Sequence, residues 1–219
     1  MNSPKRLARI AGVLYLLVGI FGGFAEGFVE PKMYVAGNAT ATAGNVVAYS
    51  GLVRMGVVAD LLDGTFFILL ALIFYVLFKH VHKSVARALL VFVTLATAIT
   101  CLSAVFEFEG LRVATGAVDL AAFGTGGSNS LVLLLLDTQH YGLLIAQIFF
   151  GLWLAPLGYL AYKSGWFPKA LGVLLVVGAS ATSWARSRRS WPPAPARRST
   201  PSSPSRQQSR RSRWSYTCS

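Results

Sequence analysis

Charge is what this sequence has least of. Asp, Glu, Lys and Arg together make up 13 % of its 219 residues, against about a quarter in soluble globular domains. So few charges cannot cover a soluble core of this size, whereas 54 % apolar residues and a mean hydropathy of +0.57 are what a membrane protein shows. Cysteine is scarce as well. Cys101 in an apolar run and Cys218 near the end make neither a disulfide framework nor a thiol metal site, so both are expected to be free. A metalloprotease helix, a phosphate loop and a nucleophile elbow are also absent. No catalytic residue, metal ligand or cofactor is therefore assigned, and the chain reads as a non-enzymatic membrane protein.

Acids are few, 8 against 20 Lys and Arg, and the excess of +12 is unevenly spread. Residues 1–183 hold 11 basic residues with all 8 acids, a surplus of three, while residues 184–219 hold 9 Arg, no Lys and no acid. In that tail Ser, Arg and Pro supply 24 of 36 residues, a composition that cannot bury a core. It reads as a disordered arm. A Lys-free Arg/Ser/Pro/Ala/Trp mixture is also what GC-rich DNA yields out of frame, and a frameshift or truncation near residue 180 is the expectation. No nucleic-acid partner is inferred from it.

What is present in quantity is long apolar runs. A helix needs about 20 apolar residues to cross roughly 30 Å of hydrocarbon. Residues 7–28, 52–78, 87–108 and 137–162 meet that length, the last with a start placed anywhere from residue 131 to 141. A fifth run, 170–185, is short or truncated. The basic N-terminus resembles a signal peptide, but the run behind it exceeds a cleavable core of about 7–15 residues, so it is read as a retained span. The expected fold is an all-α, polytopic transmembrane helix bundle of four spans plus a partial fifth. Lys5, Arg6 and Arg9, then Lys79, Lys83 and Arg87, then Lys163 and Lys169 flank alternate ends of the spans, which places the N-terminus in the cytoplasm by the positive-inside rule. The segment from Lys163 to Lys169 reads as an interfacial turn, with Trp166 and Phe167 at headgroup level.

Polar side chains gather on particular faces. At 100° per residue, Gly12, Gly19, Gly23, Glu26 and Glu30 share a wedge of the first span, and the Gly19–Gly23 spacing suits a close helix approach. Asp60 and Asp63 share a face of the second. Thr97, Thr100 and Glu107 align on the third, with Ser103 and Ala104 between them, and Asp137, His140 and Gln147 align on the fourth. A stripe of Gly151, Ala155 and Gly158 continues the fourth inward, and the Leu and aromatic runs read as lipid-facing filler.

With the N-terminus inside, Glu26, Arg54, Asp60, Asp63, Glu107, Asp137, His140 and Gln147 all fall in the outer half of the bundle. Two mid-membrane Asp cost about 5–7 kcal/mol on insertion scales, so their face is expected to turn toward protein. Glu26, Asp60, Asp63, Glu107, Asp137, His140 and Gln147 are the candidate ligand-binding residues, for a cation, a proton or a small molecule. The plainer reading is a packing network, for example Arg54 paired with a carboxylate. A metal-dependent enzyme using His140 with Asp60, Asp63 and Glu26, or a small transporter, is the alternative. His80 and His82 read as solvated, and Asn38-Ala-Thr40 fits a glycosylation triplet common by chance.

The strings AEGFVEPK (25–32), GLVRMGVVADLL (51–62) and FFGLW (149–153) resemble the bacterial family catalogued as domain of unknown function 4386. The resemblance runs from about residue 7 to 178. It implies a multi-pass bacterial inner-membrane protein and carries no activity. It also implies that family members continue the last apolar segment where this chain turns to Arg and Ser.

Overall fold

The computed structural model describes residues 4–118 and 120–164. The expected fifth segment (170–185), the turn through residue 169 and the tail (184–219) lie outside the described residues. Among the described residues the regular structure is helical. It comprises α1 (Pro4–Phe24), one π-helical turn (Ala25–Val29), α2 (Glu30–Met33), α3 (Ala39–Ala48), α4 (Ser50–Phe78), α5 (Lys83–Ala114), a short 3₁₀ turn (Ala121–Phe123), α6 (Gly124–Leu152) and α7 (Leu154–Ser164). Lys5–Met33, Ser50–Phe78, Lys83–Ala114 and Gly124–Ser164 are the 4 stretches long and apolar enough to cross a membrane. The helices outrun the apolar runs that announced them. α6 starts at Gly124, well before residue 137, because its first turns are Gly, Ser and Asn, which hydropathy alone reads as loop.

Local chemistry sets the helix ends. Asn38 accepts a 3.0 Å hydrogen bond from the Ala41 N–H and caps α3, so the residue of the glycosylation triplet is a helix cap. His82 Nδ1 accepts from the Val85 N–H and starts α5. Gly116, at φ 72°, ends α5 in a left-handed turn. Ala117 N–H bonds the Arg112 carbonyl and Gly116 N–H that of Val113, the paired bonds of a Schellman motif.

The spans form an up-and-down bundle. α4 lies between α1 and α5, α5 packs against α6, and α3 crosses one end against α4, α5 and α6. We call that end distal. The opposite end carries Lys5, Arg6, Arg9, Lys79, Lys83, Arg87 and Lys163. The half nearer this basic end is apolar throughout. Phe67, Leu70, Phe78, Leu89, Val93, Trp153 and Leu160 are buried there as one cluster, with the Phe67 ring 5.0 Å from that of Trp153 and 5.2 Å from that of Phe150. These aromatics are core, not lipid-facing filler. The fourth span bends at Trp153 because Pro156 has no N–H for the Leu152 carbonyl and its ring crowds it. The bend divides the expected stripe of small residues, burying Gly158 and exposing Ala155.

The first span departs most from its periodicity. Only 6 % of its most apolar window is buried, against 39 % for each of the others. Gly12, Gly19 and Gly23 face open space, and the close approach is made instead by Gly22, where an added Cβ would lie 3.3 Å from Asp63 Oδ1. The reason is the π turn, in which the Glu30 N–H reaches the Ala25 carbonyl. One extra residue per turn rotates everything beyond it by about 100°. Glu26 and Glu30 then face the bundle while the earlier glycines face out.

Other glycines sit where helices touch. A Cβ on Gly64 would come 2.8 Å from Thr97 Cγ2, and one on Gly56 2.9 Å from Val29 Cγ1. We expect Gly64→Val to cost about 1–3 kcal/mol by overpacking, and Gly19→Val to stay within about 0.5 kcal/mol of wild type. Thermal unfolding of the two variants in detergent checks this; equal losses would contradict the packing described.

Candidate functional site

The glycine contacts set the register between neighbouring spans. Gly22 faces Asp63 across α1 and α4. Gly56 faces Val29 and Glu107, and Gly64 faces Thr97 and Cys101. Gly110 faces Leu136, and Gly142 lies against the Ser103 hydroxyl. This stacking brings one polar seam to the middle of the bundle. Asp60, Asp63, Thr97, Thr100, Ser103, Glu107 and Gln139 are all at most 8 % exposed. Asp60 feels the negative charge of Glu26, Asp63 and Glu30, and Glu107 that of Asp60 and Glu30. From Thr97 to Glu107 the seam follows α5 for about 15 Å at 1.5 Å per residue, half the thickness of the hydrocarbon. Below it lies the Phe67–Trp153 cluster.

Burying Asp60, Asp63 and Glu107 places three carboxyl groups in the core, and among the described residues no Lys or Arg is buried with them. Arg54 is exposed. Arg112–Glu109 and His140–Glu30 are ion pairs, both outside the buried seam. The hydroxyls of Thr100 and Ser103 are spent on the carbonyls of Ala96 and Ile99 in their own helix. By contrast Asp63 Oδ1, Thr97 Oγ1 and Gln139 Oε1 are buried with no hydrogen-bond partner. Such groups are costly when left unsatisfied.

A second polar group closes the distal end. Glu30 Oε1 and His140 Nδ1 are 2.6 Å apart, and the Tyr34 hydroxyl donates to Asp137 Oδ1 at 2.6 Å. The Tyr34 ring stacks on the His140 imidazole at 5.1 Å. Burial first, and the hydrogen bond to Asp137 second, hold the Tyr34 hydroxyl protonated above the ordinary tyrosine range.

The seven residues singled out from the sequence therefore divide. Asp60, Asp63 and Glu107 line the buried seam, and the half-buried Glu26 acts electrostatically on both Asp residues. Asp137 and His140 belong to the distal pair of bonds. Gln147 is half-buried. Gln139 takes the interior place expected of it, on the face of α6 that also buries Leu136, Leu143 and Ala146; its spacing from Gly142 and Ala146 was the signal. Glu30, though on the expected wedge, and Tyr34, in a loop, were not among the candidates. Among the described residues no three His, Cys, Asp or Glu side chains are grouped to hold a metal ion, and His140 is engaged with Glu30 rather than with Asp60, Asp63 or Glu26.

Residues 10–189 match the model of a family described as a domain of unknown function (DUF4386), and the chain belongs to that family. No curated protein and no solved structure matches it.

The Tyr34–Asp137 bond is expected to contribute about 1–2 kcal/mol. A raised tyrosine pKa stabilises the fold below the pH at which unfolded tyrosine ionises, and the contribution is lost as pH rises past it. A Tyr34→Phe, Asp137→Ala double-mutant cycle should show this coupling at neutral pH and lose it in alkali.

Proposed function

We propose that this protein is a bacterial plasma-membrane protein whose buried acidic seam binds a small cation, protons first, from the side away from the cytoplasm. Three things bear on the location. Four apolar helices are long enough to span a bilayer. The basic flanks of α1, α4, α5 and α7 lie at one end, the arrangement the positive-inside rule associates with the cytoplasm. The acids lie in the other half. Reporter fusions check the orientation: alkaline phosphatase fused after Thr115 should be active and after His82 inactive, and the reverse pattern would overturn it.

The observation that carries the reading is three buried carboxyl groups with, among the described residues, no buried Lys or Arg beside them. Uncompensated negative charge in a low dielectric is expensive, and a proton or a small monovalent cation cancels it at the least cost in volume. The glycine contacts at Gly56, Gly64 and Gly142 hold the helices too close for an organic ligand. All the free acceptors are oxygens, which suit a hard ion or a proton rather than a soft metal. The apolar cluster around Phe67 and Trp153 closes the seam toward the basic end and a second one, around Met33, Val46, Val53 and Leu136, packs at the distal end, so the seam is enclosed at both ends. That supports binding rather than transport or chemistry. Hydrogen bonds within the seam also hold the bundle together, and the two roles are compatible.

Infrared difference spectroscopy of the protein in lipid vesicles tests the reading. As pH is stepped, wild type should show carboxylic acid and carboxylate bands exchanging, with sodium in the buffer displacing the exchange to lower pH. In Asp60→Asn/Asp63→Asn/Glu107→Gln the sodium-sensitive part of those bands should be lost, leaving the signal of the remaining acids, while helical circular dichroism persists. Bands unchanged in the triple variant would overturn the assignment.

A further inference from the structure

The distal end of the acidic seam is tied shut by one segment. α1 is held to the bundle mainly along α4, and only beyond the π turn does its continuation reach α6. There two bonds one turn apart, Glu30–His140 at 2.6 Å and Tyr34–Asp137 at 2.6 Å, join α2 and the residue after it to consecutive turns of α6. The Tyr34 ring lies flat on the imidazole between them, and the Tyr141 ring meets its edge at 5.8 Å. Glu107, buried in the seam, feels the charge of Glu30. Gly56 of α4 meets both Val29 and Glu107 Oε1, so the clasp lies at the level of Glu107, the most distal of the three buried acids. Its two sides differ in mechanical character. α6 is a continuous helix from Gly124 to Leu152, whereas α2 is four residues long, bounded by the π turn before it and by an extended Tyr34 after it. Single π turns inside α-helices are rare and are found frequently at functional sites. Past Tyr34 the chain is continuous with α3, which lies across the same end and is joined to the intervening loop by the Thr42 hydroxyl, bonded to both the N–H and the carbonyl of Val35.

We propose that the Glu30–His140 and Tyr34–Asp137 pair is a clasp that closes the distal mouth of the acidic seam, with the π turn Ala25–Val29 as its hinge and α2 with α3 as the moving cover. The inference rests on the cation-binding reading for what the seam admits. It does not depend on that reading for the opening itself. Neither bond is part of a helix's own backbone ladder; releasing the pair costs those contacts and lifts Met33, Ala43 and Val46 from the distal apolar cluster they share with Val53, Leu111, Val132 and Leu136, while α1 keeps its contacts with α4.

The chain carries its own reporter. Cys101 Sγ lies on the seam wall, 3.5 Å from where a Cβ on Gly64 would be, and it feels the charges of Asp60 and Asp63. With Cys218→Ser, Cys101 is the remaining thiol of the 2 in the sequence. Full-length protein in lipid vesicles is treated with a charged, membrane-impermeant methanethiosulfonate, and modification is followed by intact mass. Wild type should react slowly. Tyr34→Phe and His140→Gln should each speed labelling about tenfold, the shift expected from losing one charge-assisted hydrogen bond. Labelling rates unchanged in both variants would overturn the clasp. Where a single variant lowers the melting temperature, the swapped pair Glu30→His/His140→Glu decides: slow labelling supports the clasp and fast labelling overturns it. Labelling reads access and not ion binding. A seam that exchanges no protons would still show a working clasp, and an inert clasp would leave the infrared titration intact.

Discussion

Three carboxyl groups buried with, among the described residues, no Lys or Arg buried beside them are the constraint around which the rest of this bundle is arranged. In a low dielectric each needs a hydrogen-bond donor, a cation or a proton, and the helices are positioned so that these acids face one another rather than lipid. α4 presents Asp60 and Asp63 on one face. α5 opposes them with a polar stripe whose hydroxyls, at Thr100 and Ser103, are already satisfied by their own backbone and so offer little compensation. Glycines at positions 22, 56, 64 and 142 allow the four spans to close around this seam. Packing and electrostatics thus pull in opposite directions at the same level of the bundle, which is the arrangement expected where a chain keeps a costly site for use.

The apolar half makes the seam one-sided. Between Phe67 and Leu160 the buried core among the described residues is aromatic and aliphatic, and the bend at Pro156 turns Trp153 into that core. Apolar packing holds both ends, with this cluster near the basic end and Val29, Met33, Val46, Val53, Leu111, Val132 and Leu136 at the distal end, where the side-chain bonds and α3 add to it.

Much of this was readable from residue types and spacing. Hydropathy located four spans because about 20 apolar residues in a row have few other uses. Helical periodicity placed Thr97, Thr100, Ser103 and Glu107 on one buried face of α5, and Asp60 with Asp63 on one of α4, because both helices run regularly enough for a 100° step to hold. It misplaced Gly12, Gly19 and Gly23, because a single extra residue in the π turn rotates the span beyond it, and nothing in residue spacing announces such a turn. Gln147 aligns with Asp137 and His140, but the close fit of Gly142 against Ser103 of α5 decides which face of α6 is interior, and that face buries Gln139. Tyr34 escaped because it stands outside any span.

The sequence by itself determined that this chain is a membrane bundle, which residues are ionisable inside it, and on which half of the spans they fall, since those follow from hydrocarbon thickness and from the expense of charge within it. Only the tertiary structure decided which acids meet. Register between helices is set by glycine contacts that are long-range in the chain, and the joining of Glu30 to His140 and of Tyr34 to Asp137 spans more than a hundred residues. Periodicity describes one helix at a time, whereas a site shared by four is a property of how their surfaces fit.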